Sequence, residues 1–353
     1  MSNIKRKLVT IRTITNLEAI TKRDRIVLAQ VDGWKSVVQK DAFNVGDLVV
    51  YFEKDAILPH SDVRYHSIMG KQTPANKTTG DVLENGDDEC IFGWVVSGMK
   101  FGDGSNRVYS MGLILPISMF DELQGVVLTD GMDITDLLSI KQNKECKNPD
   151  AIGDLPPFLR ETTAGERIQN CLGEIDFNSD ERWHVSLKVD GTSAMFYARD
   201  GKFGICSKEQ EYPLIPKGKP TVYHIIAEKY KIFEKMIVNP NNCIAICCEI
   251  YGNGINGNPE NIEDVEAVAF DIFDISTGTR NMYFYKDGFS IKSVPEFAHN
   301  ATFKDIGINN LEGLLAYADN AKSLTGKQAE GVVFKSLDRD FRFKVISNKY
   351  LTK

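Results

Sequence analysis

Several common chemical devices are absent from this 353-residue chain. It has no Gly-x-x-x-x-Gly-Lys-Ser/Thr phosphate loop, no His-Glu-x-x-His zinc helix and no Gly-x-Ser-x-Gly nucleophile turn. Its five histidines are scattered, with no cluster evident along the chain. Its seven cysteines are odd in number, and no Cys-x-x-Cys occurs, which argues against a disulfide scaffold and against structural zinc. Reduced thiols in a reducing intracellular compartment, the cytoplasm, are expected instead. No run of about 18 apolar residues exists, so neither a membrane-spanning helix nor a membrane partner is expected. The opening MSNIKRKLVTIRTI is basic but has no apolar core segment, and it reads as mature protein.

Positive charge is also short. Lys and Arg total 42 against 49 Asp and Glu, a net charge of −7. The halves do not differ: residues 1–130 hold 15 bases and 17 acids, leaving 27 and 32 for the rest. A general basic coat for nucleic acid is excluded, and any polyanion site must be a local groove. With 42% apolar and 26% charged residues, a disordered or collagen-like chain is excluded too.

What is present divides into two regions, as the length suggests. Residues 1–130 offer short Val- and Ile-rich segments: KLVTIRTI, RIVLAQV, KSVVQK, DLVVYFE, FGWVVSGM and GLILPI. Turn residues such as Asp32-Gly33 and Gly46-Asp47 separate them, which predicts a small β-barrel of OB type. Residues from about His66 to Asp88 are polar and predict a long loop. Residues 131–160 hold Pro149, Pro156 and Pro157 and predict a linker. Residues 161–353 mix strand-like segments with two helical ones, VYHIIAEKYKIFEKMI and LEGLLAYADNAKSL, which suits an α+β domain.

Chemistry concentrates in the second region. Lys188 ends the alternating stretch Trp183-His184-Val185-Ser186-Leu187-Lys188, before a turn at Asp190-Gly191. A lysine partly desolvated at a strand end can lose its proton near neutral pH and act as a nucleophile. Asp190 would point the same way if the strand persists, and could hold a divalent cation. Alone, Lys-x-Asp-Gly fits a surface lysine beside a turn equally well. It is not alone. Glu249 ends the apolar run IAICCEIYG, Glu330 opens EGVVFK, Lys335 closes it, and Lys344 lies in FRFKVIS. Single charges at strand ends are usually solvated; several together favour a convergent site.

The ordered set K-x-D-G, E-x-Y-G, A-F-D-I, E-G-V-V-x-K and a late lysine resembles the motif series of the covalent nucleotidyltransferases, the superfamily of polynucleotide ligases and mRNA capping enzymes. LPPFLRETTAGERIQN, SMGLILPI and NVGDLVVYFEKDAILP narrow the resemblance to ATP-dependent RNA ligases of the Deinococcus and Naegleria type, over nearly the whole chain. DNA ligases and capping enzymes carry an OB domain after the last motif, whereas here the barrel-like region comes first.

The resemblance implies an N-terminal OB-like barrel and an ATP-grasp-like nucleotidyltransferase domain built on antiparallel sheets. It implies that Lys188 attacks the α-phosphate of ATP and carries AMP, and that Asp190, Glu249 and Glu330 hold Mg²⁺ or Mn²⁺. Phe270 would stack on adenine, although a core aromatic is its alternative. Lys344 would contact the α-phosphate, with Arg167, Lys208 and Lys335 near the nucleotide. Glu249 and Glu330 would also border it. The implied substrate is RNA with 5′-phosphate and 3′-hydroxyl ends in a nicked duplex, sealed by a monomer. Two departures stand out. Ser207-Lys208-Glu209 occupies the place of the family's Ser-Arg-Asn, and the last motif fits either Arg342–Lys344 or Lys344–Ile346, the second being preferred. A catalytically inactive RNA-binding relative, a DNA ligase and a GTP-using capping enzyme remain as alternatives.

Overall fold

The structure is a computed structural model and describes residues 6–84, 88–101, 107–144, 148–162, 165–237, 243–280 and 289–352. The chain divides into two units, Met1–Cys146 and Lys147–Leu351. Cys146 lies outside the described residues, and the other six cysteines are free thiols. No helix among the described residues is long and apolar enough to cross a membrane.

The N-terminal unit is built from short antiparallel strands. Leu48–Phe52 lies between Val9–Thr13 and Leu113–Pro116, and Asn16–Ile20, Arg23–Val31 and Trp34–Gln39 form a meander. Val9, Ile11, Val50, Phe52, Leu58 and Trp94 are buried in one core. The polar stretch expected as a long loop is instead ordered. His66–Met69 is a helical turn and Ala75–Val82 a strand paired with Asp88–Val95, residues 85–87 lying outside the described set. This strand stands at the end of its sheet, so hydrogen bonding from one neighbour replaces the apolar alternation that would have revealed it.

The residues expected as a linker are packed on both sides: Ile134, Leu138 and Ile140 belong to the N-terminal core, and residues 148–160 join the C-terminal unit. Ile152 and Leu155 donate backbone hydrogen bonds to Glu211 and Glu209, both at 2.8 Å, and Leu155 and Leu159 are buried. The stretch expected as one helix over 222–237 is two, Val222–Lys229 and Ile232–Ile237. Lys231, at φ +51°, turns left-handed between them, which interrupts helical hydrogen bonding. The second expected helix runs over Leu311–Asn320, with the Asn310 side chain accepting from the Gly313 amide.

Two sheets organise this unit. The larger, of eight described strands, has Thr192–Arg199, Ile244–Gly252 and Val265–Asp274 as antiparallel neighbours. The smaller runs in the order Glu166–Arg167, Arg342–Ile346, Gly331–Ser336, Trp183–Lys188, Glu296–Ala301. Period-two alternation on three of these strands separates two faces. Trp183, Val185, Leu187, Val332, Phe334, Phe343 and Val345 enter one apolar core. Phe334 and Phe343 stack there at 4.9 Å, and Trp183 meets Phe343 edge-on at 5.3 Å. Contacts of this kind contribute about 0.5–1.5 kcal/mol each beyond their buried area, so the register of the strands is firmly set. A one-residue slip would exchange this core for the other face, which carries the charges.

Candidate active site

Ser186, Lys188, Val333, Lys335, Arg342 and Lys344 alternate with those core residues and line a cavity. The register joins Ser186 to Val333, Val333 to Lys344 and Lys335 to Arg342 across neighbouring strands. Lys208, Glu249 and Phe270 complete its polar and aromatic lining from the larger sheet.

Two glycines in the motifs have a steric role. A Cβ on Gly191 would collide with the Ile250 carbonyl oxygen, and one on Gly331 with that of Val345. Each lets a neighbouring strand approach beside a functional residue, Asp190 in the first case and Glu330 in the second.

The lysine strand ends at Lys188, so Asp190 lies beyond it at the expected Asp190-Gly191 turn, and strand alternation does not set its direction. Asp190 accepts a 2.8 Å hydrogen bond from Asn256 Nδ2, and also one from the Tyr350 hydroxyl. Lys188 Nζ contacts Glu330 Oε2 at 2.6 Å. Burial pulls the Lys188 amine down, but Glu330, Glu249 and Asp190 outweigh it and hold the amine above its ordinary range. Desolvation alone therefore does not free the lysine of its proton, and the expected cation beside Asp190 would have to offset these carboxylates. Desolvation is present, and three carboxylates reverse its effect.

Glu249 accepts a 2.9 Å hydrogen bond from Ser193 Oγ. Burial pushes its carboxyl up to about 7, against the pull of Lys188 and Ser193, with Glu330 and Asp190 adding to the rise. Asp190, Glu249 and Glu330 are all oxygen donors, the ligand class that hard divalent cations such as Mg²⁺ or Mn²⁺ take. Lys344 shows the reverse. Burial, then the Lys188 and Arg167 charges, bring its amine down to about 8. Arg167 reaches this neighbourhood by parallel pairing of its strand, where it stands opposite Lys344. Positive groups crowded this way are stabilised by an anion placed among them.

Phe270 owes its position to a β-bulge. Cys247 pairs with Asp271 and Cys248 with Ala269, leaving Phe270 as the extra residue. Bulges re-aim side chains, and this one presents an aromatic ring to the cavity. Lys335 donates to the Phe270 carbonyl and ion-pairs with Asp271 at 3.4 Å. Its role is thus partly to hold the bulge.

Of the residues expected at the site, Lys188, Lys208, Glu249, Phe270, Lys335 and Lys344 line the cavity. Glu330 joins through Lys188, Arg167 through its place opposite Lys344, and Asp190 through its influence on Lys188. Lys208 is the most exposed of these, its one ion pair being with Glu209 at 3.9 Å. Of the two registers weighed for the last motif, the cavity lining contains Arg342 and Lys344 and not Ile346. Asp271 was missed. It is 1% exposed and lies 3.1 Å from Arg342 and 4.0 Å from Arg280. The signal was available in Ala-Phe-Asp-Ile, where the aromatic drew the attention. Ser193, Asn256 and Tyr350 gave no signal, because a single hydroxyl or amide carries no pattern.

The RNA ligase family profile matches residues 181–346, and an OB-fold domain profile matches residues 8–83. No curated protein sequence matches the chain. Solved structures do. A Naegleria gruberi RNA ligase variant with AMP and Mn is 29% identical, with a TM-score of 0.74 and 98% of each chain covered. Another variant, with ATP and Mn, is 29% identical at a TM-score of 0.72, again over 98% of each chain. An apo variant of the R4a RNA ligase from the same organism is 30% identical at a TM-score of 0.71, over 98% of both.

Proposed function

From the premise that this chain belongs to the RNA ligase family, we propose that residues 161–353 carry its nucleotidyl chemistry, with Lys188 as the group that takes up AMP. The protein is an ATP-dependent RNA ligase with an N-terminal OB fold, and its reaction uses a divalent cation. The observation that best supports the residue roles is the meeting of Lys188, Glu249, Phe270 and Lys344 around one cavity, with Glu330 in contact with Lys188.

The proposed sequence has three displacements at phosphorus. Lys188 Nζ, once deprotonated, attacks the ATP α-phosphorus; the P–N bond forms and pyrophosphate leaves with the electrons of the broken P–O bond. An oxygen of an RNA 5′-phosphate then attacks the same phosphorus, the P–N bond breaks, and the lysine is released. Finally the 3′-hydroxyl of a second RNA end loses its proton and attacks the activated 5′-phosphate, forming the phosphodiester and expelling AMP.

The residues divide this work by charge. Asp190, Glu249 and Glu330 would hold the cation, directly or through water, and carboxylates so engaged would no longer favour the proton on Lys188. When bound, Mg²⁺ or Mn²⁺ supplies positive charge against the phosphate oxygens. Lys344 and Arg342, facing the same cavity, stabilise the charge that develops on the α-phosphate and on the departing group. Arg167 and Lys208 add positive charge at the rim, Lys208 as a point charge without the planar fork of an arginine. Phe270 offers its ring to adenine, and Lys335 keeps the bulge in place behind it.

The substrate is RNA bearing 5′-phosphate and 3′-hydroxyl ends, held in a nicked duplex and sealed by a single chain. The free thiols accord with a reducing compartment, the cytoplasm. The test supplies α-labelled ATP and nicked RNA duplexes with or without the 5′-phosphate. Sealing that needs the phosphate, with label passing from protein to RNA, is the expected result. Sealing of a 5′-hydroxyl end, or no transfer of label from protein to RNA, would reject the reading.

A further inference from the structure

Folding brings together a set of side chains at the other end of the lysine strand. The histidines, scattered along the sequence, are not all scattered in space. His184 Nδ1 lies 3.4 Å from His299 Nδ1 and 2.9 Å from Glu296 Oε2, and His299 Nδ1 lies 3.6 Å from the same carboxylate oxygen. Residues 296 and 299, three apart, would face opposite sides of a regular strand. Here the pairing with the lysine strand slips twice, from Trp183↔Ala301 to Val185↔Ala298 to Ser186↔Glu296. Asn300, inside the strand Glu296–Ala301, is left-handed at φ +54°. These irregularities turn both side chains toward His184, which is 6% exposed.

His184 Nδ1, His299 Nδ1 and Glu296 Oε2 thus form a triangle with sides of 2.9, 3.4 and 3.6 Å, three donor atoms of the kind that ligate a cation. A point equidistant from all three atoms in their plane is about 1.9 Å from each. A cation raised slightly above that plane sits about 2.0–2.1 Å from all three, the distance at which zinc binds imidazole nitrogen and carboxylate oxygen. The three separations are also close to the ligand–ligand edge of a tetrahedral centre of that size, about 3.3 Å.

We propose that His184, His299 and Glu296 form a binding site for a borderline divalent cation, Zn²⁺ in the first instance, with a solvent molecule as fourth ligand. Two imidazoles and one carboxylate suit this class of ion over Mg²⁺, whereas the acids around Lys188 are all oxygen donors. Lys335 stands opposite His184 in the register, but Asp271 ion-pairs with it at 3.4 Å, which limits repulsion of an incoming ion. The half-exposed Glu296 and partly exposed His299 leave a route from solvent. A bound ion would fasten the outermost strand of the sheet, Glu296–Ala301, to the lysine strand where their pairing is irregular. The proposal does not depend on the nucleotide chemistry.

The test is a Zn²⁺ titration of the full chain against a colorimetric zinc chelator, with Mn²⁺ saturating the acidic cavity. One equivalent is expected in the unaltered protein. It should be lost or weakened more than about tenfold in His299→Ala and in Glu296→Gln, and retained in Glu249→Gln. Zn²⁺ should raise the melting temperature of the unaltered protein and leave that of His299→Ala unmoved. Co²⁺ in place of Zn²⁺ should give the intense visible absorption of a tetrahedral centre. Unchanged Zn²⁺ affinity in His299→Ala, loss in Glu249→Gln alone, or no binding to the unaltered protein would each overturn the proposal, the last leaving a hydrogen-bonded cluster.

Discussion

Two charge clusters, Arg64 with its acids in the N-terminal unit and the cavity group in the C-terminal unit, are built differently. In the N-terminal unit, Arg64 meets Asp62 at 2.6 Å and Glu122 at 2.8 Å, and Lys35 meets Glu18 at 2.7 Å, all on side chains at least 19% exposed. Asp62 also accepts the Arg64 amide, so the group secures a local turn. In the C-terminal unit, charges stand on the inner faces of strands. Asp271 is 1% exposed between Lys335 and Arg342, while Glu249 and Lys344 are displaced from their ordinary ionisation by burial. Water shares the cost of the first arrangement. The second is costly unless charges complement each other or await a ligand, so displaced ionisation is the physical trace of a site.

The largest effect that would sharpen this contrast is at Lys188. Lys188→Ala should abolish transfer of label from α-labelled ATP to protein, while Arg64→Ala should leave it within about twofold, as read on denaturing gels. If Arg64→Ala proved as damaging, the contrast would fail. Next come Glu249→Gln, Glu330→Gln and Lys344→Ala, each expected to slow formation of the adduct by about 10²–10³-fold in single-turnover kinetics.

Stability should separate the units as well. Asp271→Ala strands buried cations and should cost about 3–5 kcal/mol in urea unfolding. Glu122→Ala removes one exposed partner of Arg64 and should cost under about 1 kcal/mol. Comparable losses would show that burial is not the distinction.

Much of this was legible before the structure. Charged residues ending apolar strands located Lys188, Glu249, Glu330 and Lys344, and alternation marked which side chains share their face. The unread parts depended on irregularity. His299 and Glu296 share a face because of register slips, which leave no periodic trace, and the bulge that turns Phe270 to the cavity leaves none either, so Phe270 was expected from its motif and not from alternation. Ala75–Val82 was taken for a loop because a strand held at a sheet end needs no apolar face. The contact of Lys188 with Glu330, 142 positions along the chain, is a tertiary fact that no local pattern carries.

A further predicted effect is graded by pH. Glu249, pushed up to about 7, carries a proton below that pH in the free protein, and a divalent cation must displace it. The Mn²⁺ concentration for half-maximal adduct formation should therefore rise as pH falls below about 7, by about tenfold per unit. Glu249→Gln should flatten that dependence. A flat profile in the unaltered protein would place the titrating group elsewhere.

The central claim is that acids which hold a proton on Lys188 yield to a divalent cation, after which the lysine accepts AMP. Peptide mass spectrometry after incubation with ATP tests it directly, with Mn²⁺ or with a chelator. The account predicts the mass of AMP on the peptide containing Lys188 with Mn²⁺, and none with the chelator. AMP on another lysine, or equal labelling of Lys188 without the cation, would contradict it.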